Sequence, residues 1–244
     1  MQYALDGTNT KNLNNRDIVY FLRDGDNEEL RYSLRSVVKN FPHRNIWFYG
    51  GKPDWLVTDN YVYVNQWKNK WGNVRMMLEC ACKNEKISPD FYIFNDDFFI
   101  MNPVEDFQNM YDGDLFRYIY ILEKQFGING SDYIIRLRKM INALLEYNPH
   151  IELKNYAIHT PILVNKNDLL DTFQKFPNII MYRCLYGNFK NIGGVEHTDF
   201  KVMRHDIDKI NTTYLSTSDN SFNKMNVGKL IRNEFQEPSN YERN

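Results

Sequence analysis

The chain has 244 residues, 30 Lys and Arg against 31 Asp and Glu, and a formal net charge of −1. Hydrophobic residues make up 43% and aromatics 15%, enough for a core, which excludes disordered, collagen-like and disulfide-scaffold classes. Balanced charge gives the chain as a whole no nucleic-acid footprint, and it has no apolar run of about 18 residues to serve as a transmembrane segment.

Residues 1–16 read as a polar N-terminal arm without the charged-then-apolar order of a secretion signal, and residues 17–244 as a single domain. Ile18–Leu22 predicts a buried strand. Asp24-Gly25-Asp26 is a turn, with Asp26 as cap and Glu29 as its box partner. Leu30, Leu34, Val37, Val38 and Phe41 then recur at helical spacing until Pro42. Ile46–Tyr49 is a second strand closed by Gly50-Gly51, and Tyr61–Val64 a third. A helix from about Asn73 to Asn84 presents Val74, Met77, Leu78, Ala81 and Cys82. Ser88-Pro89 breaks it before a fourth strand, Phe91–Phe94, which runs into Asn95-Asp96-Asp97.

That β-α-β-β-α-β rhythm requires crossover connections, hence an α/β fold with a mostly parallel sheet between helices. Ligands of such sheets bind beyond the carboxyl ends of the strands. Arg23-Asp24, Gly50-Gly51 and Asp96-Asp97 fall there. The second half is less regular. Helices are predicted over Ser131–Tyr147, Asn167–Phe176 and Val227–Phe235, and a strand over Ile158–Val164, interrupted at Pro161. The three cysteines, Cys80, Cys82 and Cys184, are an odd number and read as free thiols of a reducing, cytoplasmic setting.

The sharpest chemical signal is the pair Asp96-Asp97. Neighbours on a strand point to opposite faces, so the two carboxylates converge only if the chain turns there. A turned pair offers hard oxygen ligands to Mg²⁺ or Mn²⁺ bridging substrate phosphates. The alternative is one capping and one solvated carboxylate. Arg31 and Arg35, four residues apart, share a helix stripe and are candidate phosphate clamps, or else a solvated face paired with Glu28 or Glu29. His159, flanked by apolar residues, is a core histidine or a general base. Arg183 sits in an apolar setting and needs an anion from protein or ligand. The loop Gly193–Asp199 fits neither a P-loop nor G-x-G-x-x-G.

Several of these segments together resemble the Stealth family of sugar-1-phosphate transferases of bacterial capsule synthesis, related to the lysosomal-enzyme GlcNAc-1-phosphotransferase. Asp17-Ile18-Val19-Tyr20 is similar to the family's first region. Asn27-Glu28-Glu29-Leu30-Arg31-Tyr32-Ser33-Leu34-Arg35-Ser36 is similar to the opening of the second. Lys52-Pro53-Asp54-Trp55-Leu56 follows, and Asn95-Asp96-Asp97-Phe98-Phe99 with Pro103-Val104 is similar to that region's end. His159-Thr160-Pro161 and Arg183 fall in the third region. Ser218-Asp219-Asn220, Phe235, Pro238-Ser239 and Tyr241-Glu242 resemble a shortened fourth.

The resemblance implies a GT-A-like (Rossmann-like) nucleotide-sugar transferase fold and assigns roles. Asp96 and Asp97 hold the divalent metal. His159, Asp97 and Arg183 are catalytic. Arg31, Arg35, Asn27, Asn73 and Asp219 bind substrate. The implied partners are a nucleotide-sugar donor, a UDP-sugar first among them, and a glycan acceptor. Two other readings stand beside sugar-1-phosphate transfer. One is a glycosyltransferase moving the sugar alone to a cell-wall glycan or, given the Asn-, Lys-, Tyr- and Ile-rich composition of an AT-rich genome such as a phage's, to a modified DNA base. The other is a non-catalytic nucleotide- or carbohydrate-binding module.

Overall fold

The computed structural model describes residues 15–243; the arm read over residues 1–16 lies outside them as far as residue 14. In chain order the elements are β1 (Asp17–Leu22), α1 (Glu28–Asn40), β2 (Ile46–Gly50), β3 (Tyr61–Tyr63), α2 (Lys70–Lys83), β4 (Asp90–Phe94), β5 (Phe98–Ile100), β6 (Met110–Tyr111) and α3 (Leu115–Phe126). They continue as α4 (Asp132–Tyr147), β7 (Ile162–Asn165), α5 (Lys166–Lys175), α6 (Tyr182–Phe189), β8 (Val195–Glu196), β9 (Lys201–Val202), β10 (Tyr214–Thr217), α7 (Asp219–Lys224) and α8 (Asn226–Glu234).

The central sheet has the order β3-β2-β1-β4-β7. The first four strands are parallel, and β7 adds an antiparallel edge to β4. The α/β class and mostly parallel sheet read from the sequence are therefore present. All six residues of β1 are buried because each face of the strand meets a helix layer. Ile18, Tyr20 and Leu22 join Leu30, Leu34 and Val37 of α1 in one core. Val19 and Phe21 join Met77, Leu78 and Ala81 of α2 in the other. Side chains alternate across a strand, so one apolar run serves both cores. Leu34 is wholly buried, and truncating it to Ala costs about 2–5 kcal/mol.

Strand order reverses between β1 and β4. Chains leave these two neighbouring strands in opposite directions at their carboxyl ends, and a crevice opens there. On the β1 side Gly50, with φ of 110°, must be glycine: a Cβ would lie 2.2 Å from the Leu22 carbonyl. On the β4 side the chain turns through Asn95-Asp96-Asp97 and enters β5, which belongs to a second sheet, β5-β10-β9. Ser33 of α1 fixes that turn by donating to the Phe98 carbonyl, while Tyr20 and Ser33 share a buried hydroxyl contact of 2.8 Å.

Several local expectations are corrected. The cap of α1 is Asn27, in the left-handed region at φ 50°, whose side chain accepts from the Leu30 amide; Asp26 is not the cap, and Glu29 turns away to Thr217. The segment 158–160 is a bend, and only Ile162–Asn165 pairs as a strand. Helices α3 and α6 and strand β10 were not anticipated, since their apolar residues sit in short or mixed patterns. All three cysteines are free. No helix among the described residues is long and apolar enough to cross a membrane.

Candidate active site

A cleft of about 820 Å³ opens at the carboxyl ends of β1 and β4. Asp96, Asp97, His159, Arg183, Asn73 and Asp219 all line it. Residues far apart in sequence, from the second strand–helix unit to the C-terminal third, thus meet in one place.

The turn after β4 brings the two aspartates together. Asp96 Oδ2 accepts from Asn27 Nδ2 at 2.7 Å, so Asn27 caps α1 with its oxygen and holds Asp96 with its nitrogen. Asp97 Oδ2 pairs with Lys201 Nζ at 3.0 Å. Its other oxygen, Oδ1, is buried and has no partner. Burial first, and then the charge of Asp97, push the Asp96 carboxyl up to about 6 against the pull of Asn27. Glu29 stands behind them, accepting from Thr217 Oγ1 at 2.6 Å. Burial chiefly, with Asp97, Asp96 and Asp219 adding, pushes it up to about 7. Burial first, and the crowding of carboxylates second, thus raise both groups.

His159 sits on the bend before β7. Asp199 clamps it twice, accepting from its backbone amide at 2.9 Å and lying 2.7 Å from Nδ1. A carboxylate on Nδ1 fixes the Nδ1–H tautomer and leaves the lone pair on Nε2. Burial alone would raise the Asp199 carboxyl, but the hydrogen bond and charge of His159 outweigh it and hold it below the usual range. The Phe98 ring meets His159 edge-on at 6.3 Å between centroids and lies 5.9 Å from the Arg183 guanidinium carbon. Phe98 thus packs against both His159 and Arg183.

Arg183 projects from the first turn of α6. Its Nε donates to the Tyr156 carbonyl at 3.0 Å and Nη2 to the Thr160 carbonyl at 2.8 Å, while the buried Nη1 has no partner. Gly187 allows this placement: a Cβ there would lie 2.4 Å from the Tyr156 ring. Arg183 needs an anion, and two carbonyls supply only part of that need.

Arg31 and Arg35 do not reach the cleft, which corrects their reading as phosphate clamps. Arg35 forms a two-pronged pair with Glu242 at 2.8 and 2.6 Å and donates to the Phe235 carbonyl at 2.9 Å. Arg31 reaches the same carboxylate at 3.3 Å and lies 4.3 Å from the Trp55 ring centroid. Their anion is the chain's own C-terminal segment. Asn73 spends its amide on the Lys68 backbone, accepting from N at 2.9 Å and donating to O at 2.8 Å; it braces the cleft wall. Asn27 acts through Asp96. Asp219 is exposed and lies 3.9 Å from Arg23.

Two residues escaped the sequence reading: Asp199 and Lys201, in and just after a loop matching no nucleotide-binding motif. The signal available was Asp199 itself, a lone carboxylate before Phe200. Nothing local linked it to a histidine 40 residues earlier.

The donor set suits a hard divalent cation in part. Asp97 Oδ1 is an orphaned anionic oxygen, and Asp96 beside it bears a carboxylate raised by burial and by its neighbour's charge. No group of three acidic, imidazole or thiol side chains able to hold a metal unaided occurs among the described residues, so further oxygens would come from substrate phosphates, as is usual for Mg²⁺.

No known family model matches the chain, and no curated protein matches it in sequence. Among solved structures, it is similar to the galactosyltransferase LgtC in complex with donor and acceptor sugar analogues, with a TM-score of 0.45, 11% identity, and coverage of 92% of this chain and 98% of that one. An active-site mutant of LgtC gives a TM-score of 0.44 at 12% identity with the same coverage.

Proposed function

We propose that this chain is a divalent-metal-dependent transferase that takes a nucleotide-activated sugar and passes sugar-1-phosphate to a glycan hydroxyl. One observation carries the reading. Two buried groups of opposite charge in one cleft each lack a partner: Asp97 Oδ1, which calls for a cation, and Arg183 Nη1, which calls for an anion. A cation–diphosphate unit supplies both. The GT-A-like fold implied by the sequence is in keeping with the sheet order and with the position of the cleft.

When bound, the cation supplies electrostatic stabilisation of charge on the phosphates; Asp96 and Asp97 are the residues that would hold it. Arg183 binds phosphate oxygen through its free Nη1. Asp199 holds the Nδ1–H of His159, and Nε2 takes the proton of the acceptor hydroxyl. As that proton leaves, the hydroxyl oxygen bonds to the phosphorus that bears the sugar. The bridging P–O bond breaks and nucleoside monophosphate departs with its electron pair. A module that only bound nucleotide would need no carboxylate-aligned imidazole.

The same constellation serves attack at the anomeric carbon, in which the C–O bond breaks and nucleoside diphosphate departs. The sequence resemblance favours phosphorus. The test is a screen of UDP-, GDP- and CMP-sugars with Mg²⁺ or Mn²⁺, followed by analysis of the nucleotide released. UMP from a UDP-sugar supports phosphate transfer. UDP supports transfer of the sugar alone, and no turnover or binding with any donor rejects the reading.

A further inference from the structure

The helical hairpin of α3 and α4 forms one wall of the cleft through Tyr118 and Tyr133, and its outer side has unusual chemistry. On α3, Leu115 and Ile119 are buried and Leu122 packs against the same core. The opposite stripes, Phe116-Tyr120-Lys124 and Arg117-Ile121, face outward at spacings of four. Phe116, Tyr120, Ile121, Phe126, Ile128 and Ile135 are each 45–58% exposed, and these six are nearly half of the large hydrophobics exposed among the described residues. They occupy a single stretch of 20 residues, from Phe116 to Ile135. Scattered exposed hydrophobics need no explanation, but a cluster does.

Charge decides what covers it. Between residues 116 and 139 the two acids are paired, Glu123 with Arg138 and Asp132 with Arg136 at 2.9 Å; the hairpin's third acid, Glu146, lies in the last turn of α4. Arg117, Lys124 and Lys139 are exposed and form no ion pair among the described residues. The surface is thus apolar and aromatic, interleaved with cations that stand outside any ion pair among the described residues. Lys124 lies over the Tyr120 ring at 5.4 Å, an arrangement that lets the ammonium stay wet while the ring is buried. A second copy docking here by twofold symmetry would bring this cationic patch against an identical cationic patch. A bilayer with anionic headgroups meets both needs: it accepts the rings and isoleucines at its interface and neutralises the cations.

We propose that the outer face of the α3–α4 hairpin docks reversibly on an anionic membrane surface, so that the wall of the cleft carrying Tyr118 and Tyr133 stands next to the bilayer. The inference is independent of the transferase reading. It is tested by sedimentation of the full chain with vesicles of phosphatidylcholine containing 30% phosphatidylglycerol, and with phosphatidylcholine alone, at 0.05 and 0.5 M NaCl. Binding is expected only to the anionic vesicles and is expected to weaken in high salt.

The double variant Arg117→Gln/Lys124→Gln should lower partitioning about thirtyfold, from about 1 kcal/mol per cation at an anionic surface. Tyr120→Ser/Ile121→Ser should lower it with the charges intact. All four positions are exposed, and unchanged thermal unfolding of the charge variant keeps the test valid should the apolar one unfold. Absence of binding at low salt, equal binding to neutral vesicles, or a dimer in light scattering that these variants dissociate would each overturn the proposal.

Discussion

Lys201 Nζ lies 3.0 Å from Asp97 Oδ2, while Oδ1 of the same carboxylate is buried without a partner. The internal cation thus satisfies half of Asp97. An unpaired buried carboxylate oxygen is costly, and a bound cation relieves that cost. Asp97→Asn should therefore weaken donor-dependent Mn²⁺ binding, read by calorimetry, by at least about 10–100-fold, the loss seen when even an outer partner of a metal site is removed. Unchanged binding, or full turnover in EDTA, would remove the cation from the scheme.

His159 and Asp199 form a dyad in which the carboxylate takes Nδ1 and leaves Nε2 for the acceptor. His159→Ala should lower kcat by about 10²–10⁴-fold, the usual worth of a general base. Asp199→Asn should also lower kcat and leave the donor KM unchanged, because the amide no longer fixes the tautomer and orientation of the imidazole. Initial rates with saturating donor check both. Near-normal turnover in His159→Ala strips that residue of its role.

Arg183 divides its fork between two backbone carbonyls and a free Nη1. A lysine cannot reproduce three directions from a planar head. Arg183→Lys is expected to raise the donor Kd roughly tenfold or more, the worth of one hydrogen bond to a charged group. Calorimetric titration with a UDP-sugar reads it.

Arg35 should matter for folding and not for chemistry. Its side chain and that of Glu242 are 12% and 2% exposed, and removing Arg35 leaves the buried carboxylate only the longer contact with Arg31 at 3.3 Å and the Ser239 donors. Arg35→Ala is expected to cost about 3 kcal/mol in urea unfolding, with kcat and donor KM of the folded fraction unchanged. A selective loss of donor affinity at unchanged stability would restore Arg35 to the binding site.

Glu29 supplies a pH test. Its carboxyl is raised to about 7 from an ordinary 4.5, so between those values the folded chain holds a proton that the unfolded chain has released. Stability from this group is therefore lost as pH rises through that window. Glu29→Gln removes the effect. The Tm of the variant relative to the parent, without metal, should climb between pH 5 and pH 8. A pH-independent difference would show that burial and the acidic neighbours do not raise the Glu29 carboxyl.

The sequence by itself determined the β-α-β-β-α-β half. Continuous runs such as Ile18–Leu22 are buried on both faces, and the helices that cover them carry a clear period, so local pattern and global packing agree. It also marked Asp96, Asp97, His159 and Arg183, since charge at the end of, or inside, an apolar run is costly and stands out. It misplaced Arg31 and Arg35, whose spacing was correct but whose anion, Glu242, lies more than 200 residues onward. The structure alone decided which carboxylate aligns the imidazole and which ammonium holds Asp97. Asp199 and Lys201 belong to no periodic element, and only the long-range pairing of β9 with β10 and β10 with β5 carries them to the cleft.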